Sequence, residues 1–145
     1  MSENNDTVKL LNECDAGIKM GVESIEEVLD KVKSEDFKEK LTECMHEHEE
    51  LDRELRRMLA AYDSDGKEPN PIAKGMSWMK TNMKLSYETS DEIISDLIID
   101  GCNMGVKSLN RYLNKYSSAE SCAKKITKEL IESEQRLADG IKEYL

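Results

Sequence analysis

Apolar residues recur at alternating spacings of three and four along four separate stretches of the chain, which is the pattern of helices that each bury one face. The polar residues between them are mostly charged and fall on the opposite faces. The pattern predicts helices at about residues 7–33, 35–62, 90–116 and 118–144. In the second stretch the inward positions are Phe37, Leu41, Cys44, His48, Leu51, Leu55, Met58 and Tyr62.

The connections between these stretches predict the order of packing. The first and last connections are only two or three residues long, so each should join two antiparallel helices. Residues 63–89 interrupt the pattern with Asp65-Gly66 and with Pro69 and Pro71. We expect a long, partly helical crossover there, with its methionines and tryptophan on one flank of the bundle. Residues 1–6 should be disordered, and 7–145 should form a single domain, with Asp6 or Thr7 capping the first helix.

The second half of the chain repeats the first. The stretch from Met20 to Lys31 reappears, in related form, from Met104 to Lys115. This places Gly21 and Gly105 at equivalent inward positions, where each glycine lowers helix stability by roughly 1 kcal/mol relative to alanine. A packing reason is therefore expected, such as close approach of two helices or room for Tyr112 or a methionine.

Composition and charge exclude several classes of function. The net charge is −10 and the basic residues are spread along the chain, so no basic patch for nucleic acid is visible. No run approaches the roughly 18 apolar residues of a membrane span, and the N-terminus does not resemble a signal peptide. The four cysteines form no Cys-x-x-Cys pair. A cytoplasmic protein with reduced, buried thiols is expected.

Three stretches carry a resemblance to a known family. They are Leu11-Asn-Glu-Cys-Asp-Ala-Gly-Ile-Lys-Met-Gly21, the segment His48–Leu55 and the segment Gly105–Leu113. With the duplication and the long crossover, they make the chain resemble the ferritin-like superfamily. More closely, it is similar to an uncharacterised bacterial family of rubrerythrin-related four-helix bundles. The resemblance implies an all-α, ferritin-like bundle built from two antiparallel helical hairpins joined by the crossover.

The resemblance also implies where a di-metal centre would lie. In the superfamily a glutamate comes from helices one and three, and a Glu-x-x-His pair comes from helices two and four. The matching positions in this chain are Asp15, Met45 with His48, Ile99, and Leu130 with Ser133. Because only Asp15 and His48 can ligate a metal, the di-metal site is expected to be degenerate. A slipped register would instead use acids on the flank of the helices, such as Glu47 and Glu132.

His48 leaves two hypotheses open. It is either a core histidine hydrogen-bonded to Asp15, Ser133 or a buried water, or a ligand of a single metal ion together with Cys44. The full set of candidate metal ligands is His48, Asp15, Cys44, Glu47, Asp100 and Glu132.

No nucleophile with a base and an orienting group is visible, and no phosphate-binding loop. We therefore expect a non-catalytic bundle that needs no cofactor and acts through its surface or by oligomerisation, and the sequence leaves a homodimer open. The alternative is a protein that binds iron, zinc or another divalent metal, or responds to oxidative stress, with a relocated site around Asp15 and His48.

Overall fold

The computed structural model describes residues 2–62 and 89–145, which form helices and no strands. The predicted all-α protein with four helices is confirmed for these residues. The predicted crossover lies, from residue 63 to residue 88, outside the described residues. The helices are α1 (Ser2–Leu29), α2 (Glu35–Ala60), α3 (Asp91–Lys115) and α4 (Ser121–Gly140), and a short 3-10 helix follows (Lys142–Tyr144).

The helices pack as two hairpins. α1 lies against α2 and α3 lies against α4, while α2 also contacts α4 and α1 contacts α3. The Asp91 carboxylate accepts hydrogen bonds from the backbone N–H groups of Lys33 and Ser34, at 2.8 and 2.9 Å. α3 therefore begins at the end of the bundle where α2 begins.

The first helix starts earlier than the sequence predicted. It begins at Ser2, so residues 2–6 of the segment that was predicted to be disordered belong to α1. Asp6 and Thr7 do not cap α1, because the helix begins at Ser2; their side chains accept hydrogen bonds from the backbone N–H groups of Ser118 and Glu120. They satisfy donors just before α4, which has no side-chain cap of its own.

The last helix ends at Gly140 rather than continuing to residue 144. The Gly140 carbonyl accepts a hydrogen bond from Lys40 Nζ at 2.9 Å, which satisfies a group left open by the end of the helix. The chain then turns, and the Tyr144 ring stacks on Phe37 with 4.6 Å between centroids. The contact with α2 explains why the apolar pattern extends beyond the end of the helix.

The core consists of two apolar clusters, one toward each end of the bundle. One contains Ile25, Phe37, Leu41, Ile94, Ile98, Leu137 and neighbours, and the other contains Leu11, Ile18, Leu55, Leu109, Leu130 and neighbours. Between them each helix contributes a residue that is not a large apolar one, and these four are Gly21, His48, Gly105 and Glu134. His48 and Glu134 therefore place polar side chains between two clusters of apolar residues.

Candidate ligand-binding site

His48 is held by both of its ring nitrogens. Nδ1 lies 3.0 Å from the backbone carbonyl oxygen of Cys44, one turn earlier in α2. Since a carbonyl can only accept, Nδ1 carries a proton and donates it there. Nε2 lies 3.3 Å from Oε1 of Glu134, which reaches across from α4. His48 is 1% exposed and Glu134 is 9% exposed, so the two groups meet inside the bundle.

The surroundings of His48 favour its charged form. Burial lowers its pKa, but the hydrogen bonds with Cys44 and with the Glu134 carboxylate outweigh burial and raise the pKa to about 10. At neutral pH, His48 is therefore an imidazolium, and Nε2–H donates to Glu134. The result is a buried ion pair between α2 and α4.

The two repeated glycines make room for this pair. A Cβ on Gly21 would lie 3.2 Å from Cδ2 of His48, and a Cβ on Gly105 would lie 2.4 Å from Oε2 of Glu134. Each glycine thus faces one member of the pair, which is the packing reason that the sequence left open. The atoms nearest to the two glycines belong to His48 and Glu134 rather than to Tyr112 or a methionine, which the sequence had offered as one alternative.

A cavity of about 580 Å³ lies beside the pair, between α1 and α3. Small side chains open it, including Ala16, Gly17 and Ser24 on α1 and Gly101 and Ser108 on α3. His48 and Glu134 form part of its wall, and the remaining wall is largely apolar. Met104, which is 54% exposed, also lines the cavity. Its size falls within the range of small-molecule sites.

Cys44, His48 and Glu134 are the residue types of a catalytic triad, in which a base activates a thiol and an acid orients the base. Cys44 Sγ lies 3.6 Å from Nδ1 of His48. However, Nδ1 donates its proton to the Cys44 carbonyl, so this nitrogen has no lone pair with which to accept the thiol proton. The geometry fits a positioned ion pair better than an activated nucleophile.

Asp15 lies in a different network from His48. It is fully buried, and its carboxylate pairs with Lys19 Nζ at 2.9 Å and with Arg56 Nη2 at 3.3 Å. Arg56 also binds Asp52 at 3.0 Å. Burial and the neighbouring Asp15 carboxylate raise the pKa of Asp52. His48 contacts Cys44, Ser133 and Glu134. Of the two side chains that the sequence offered as its partners, Ser133 is therefore in reach, with Oγ 3.5 Å from Nδ1, and Asp15 is not among the contacts.

The other candidate ligands are dispersed. Cys44 lies next to His48, but Glu47 is on the surface and pairs with Arg136. Asp100 and Glu132 are exposed. Among residues 2–62 and 89–145, no group of three or more histidine, cysteine or acidic side chains is arranged to hold a metal ion.

The residues present do not fit the di-metal centre that the family resemblance implies. Of its expected donors, Asp15 is tied to two cations and His48 is tied to Glu134. The remaining positions carry Met45, Ile99, Leu130 and Ser133, of which only Ser133 has an oxygen. The donor set lacks the carboxylates that bridge two metal ions.

Glu134 is the functional candidate that the sequence analysis missed. It lies four residues after Leu130 and three before Leu137, so the spacing places it on the buried face of α4. The repeat drew attention instead to Ser133, the equivalent of His48. This spacing puts an acid on the buried face of α4, as the apolar spacing of α2 puts His48 on its buried face, so the two could have been proposed as a pair.

Comparison of the chain with models of protein families, with curated proteins and with solved structures found no match. No helix in the described part of the chain is long and apolar enough to cross a membrane. The fold and the site define the class as a four-helix bundle with a buried ion pair on the wall of a cavity between two helices.

Proposed function

We propose that this protein is a non-catalytic bundle that binds a small organic molecule in the cavity between α1 and α3. The apolar wall would bury the body of the ligand, and the His48–Glu134 pair would orient one polar group. The observation that carries the proposal is that small residues line the cavity on both helices. Larger apolar side chains at these positions would pack the space and add stability, so the small ones leave it available for a ligand.

The ion pair supports the same conclusion. A buried ion pair rarely stabilises a bundle more than apolar residues of the same volume would. Here two glycines, each unfavourable within a helix, accommodate the pair. An arrangement that lowers stability at four positions in one layer is typical of a functional site.

The test is a cavity-filling variant. Gly17 lines the cavity, and a Cβ there would meet nothing within 4 Å, so Gly17→Leu should place its side chain in the cavity. The neutral dye N-phenyl-1-naphthylamine should bind the native protein at one site, and its affinity should fall at least about tenfold in Gly17→Leu. Ala60→Leu adds the same side chain at an exposed position of α2 and should leave dye binding unchanged.

Thermal melts of both variants show whether they fold. Dye binding that does not saturate, or that is equal in folded Gly17→Leu and native protein, would overturn the proposal.

The ferritin-like topology is part of this proposal. It is supported by the position of the first residues of α2 and α3, which lie at the same end of the bundle. The end of α2 is then at the opposite end from the start of α3, and only a long link can join them. Action through the surface or as a homodimer stays a prediction, which light scattering in solution tests. Metal binding also stays a prediction, and metal analysis of untagged protein before and after His48→Ala tests it.

A further inference from the structure

We propose that the ligand of this cavity is an organic cation, an amine on an apolar body, whose ammonium group binds the Oε2 oxygen of Glu134. This inference rests on the proposed function and names the chemical class of the ligand. It follows from the orientation of Glu134, from the charges on the cavity wall and from the nature of the remaining wall.

Glu134 offers one oxygen to the cavity. Its Oε1 accepts from His48 Nε2 at 3.3 Å, whereas Oε2 lies beside Gly105, in the space that a Cβ would fill. Within residues 2–62 and 89–145, Oε2 has no hydrogen-bond partner, although nine-tenths of the residue is buried. A carboxylate oxygen that faces the cavity without a donor from these residues is open to a ligand, and a charged donor would form a strong hydrogen bond there.

The charges on the wall select a cation. Two carboxylates, those of Glu13 and Glu134, line the cavity, and no lysine or arginine occurs among its described lining residues. His48 is the positively charged residue among the described lining residues, but both of its N–H groups already donate, to the Cys44 carbonyl and to Glu134. Among the lining residues that the structure describes, an anionic ligand would find no cationic donor still available, and it would meet the carboxylate of Glu134.

An ammonium group fits this site better than a neutral hydroxyl. A hydrogen bond between a charged donor and a carboxylate is roughly twice as strong as a neutral one. The chain as a whole carries a net charge of −10, which also attracts cations. The apolar wall and a volume of about 580 Å³ leave room for a hydrocarbon chain or ring attached to the ammonium group.

The experiment compares three probes of equal length by titration calorimetry with the full chain at neutral pH. n-Octylamine, n-octanol and n-octanoate differ in the charge of one end group. Octylamine should bind at one site at least about tenfold more tightly than octanol, and octanoate should bind more weakly than either. Equal affinities, or tighter binding of octanoate, would overturn the inference.

Glu134→Gln keeps the size of the side chain and removes its charge. Octylamine affinity should fall to the level of octanol in this variant, while octanol affinity changes little. Glu132→Gln is the matched control, because Glu132 is exposed on the same helix. If Glu134→Gln folds and still prefers the amine, the inference is wrong. If it does not fold, the three-probe comparison in the native protein decides.

Three further outcomes separate the hypotheses. If the neutral dye binds but the amine is not preferred, the cation inference fails and the ligand-binding function stands. If neither the dye nor any of the three probes binds, both fail. Stoichiometric binding of zinc chloride alone that is lost in Glu134→Gln would replace the organic cation with a metal ion and overturn the inference.

Discussion

Gly105→Ala offers the sharpest test of the His48–Glu134 pair, because two effects of opposite sign meet there. Alanine in place of glycine inside a helix stabilises a protein by about 0.8–1.0 kcal/mol. The added Cβ, however, would lie 2.4 Å from Oε2 of Glu134 and 3.1 Å from its Cδ. The carboxylate must move, and because its other oxygen accepts from His48 Nε2 at 3.3 Å, we expect the movement to lengthen that hydrogen bond.

The magnitude follows from these two contributions. A hydrogen bond to a charged group contributes about 1.5–3 kcal/mol, so its loss outweighs the gain in helix propensity. We expect Gly105→Ala to lower the free energy of unfolding by about 0.5–2 kcal/mol. Gly17→Ala is the matched control, since its Cβ meets nothing within 4 Å and should stabilise the protein by up to about 1 kcal/mol.

The assay is urea unfolding followed by circular dichroism, with both variants compared with the native chain at pH 7. The difference between the two variants should be about 1.5–3 kcal/mol. When Glu134→Ala is combined with each glycine variant, this difference should disappear, because the clash with the carboxylate and its hydrogen bond with His48 are both gone. If Gly105→Ala stabilises the protein as much as Gly17→Ala does, Glu134 is not held by His48 and the description of the site is wrong.

Three further predictions concern titration, the second polar network and the thiols. His48 has its pKa raised from 6.5 to about 10, so its stabilising effect is complete below pH 6.5 and is lost as the pH rises through 10. His48→Gln should therefore destabilise by about 3–5 kcal/mol at pH 6 and by less at pH 10, whereas a constant difference would contradict the ion pair. Asp15→Asn should lower the free energy of unfolding by about 1–3 kcal/mol, because Lys19 and Arg56 lose a charged acceptor. The control is Asp96→Asn at an exposed position, which should change it by less than about 0.5 kcal/mol. Equal effects of the two substitutions would argue against the network. Ellman's reagent should modify one thiol quickly in the native protein, that of exposed Cys122, and all four after denaturation; rapid modification of a second thiol would contradict the burial of the other three.

Tertiary contacts gave several residues roles different from those that the sequence indicated. The repeat predicted a packing reason for Gly21 and Gly105, and the reason is the pair that the two glycines face. Asp15 was one of the partners that the sequence offered for His48, but Arg56 pairs with it from α2 and holds it in another network. These outcomes depend on the rotation and axial position of neighbouring helices, which a pattern within one helix does not specify.

The sequence by itself determined the four helices and most of their buried faces, because apolar spacing fixes which side of a helix turns away from water. It also placed His48 inside, at an inward position of the second stripe. Only the tertiary structure decided that Glu134 is its partner and that a cavity lies beside them. The physical reason is that the partner and the cavity arise between helices, from side chains far apart in sequence, and each helix shows only its own half of the contact.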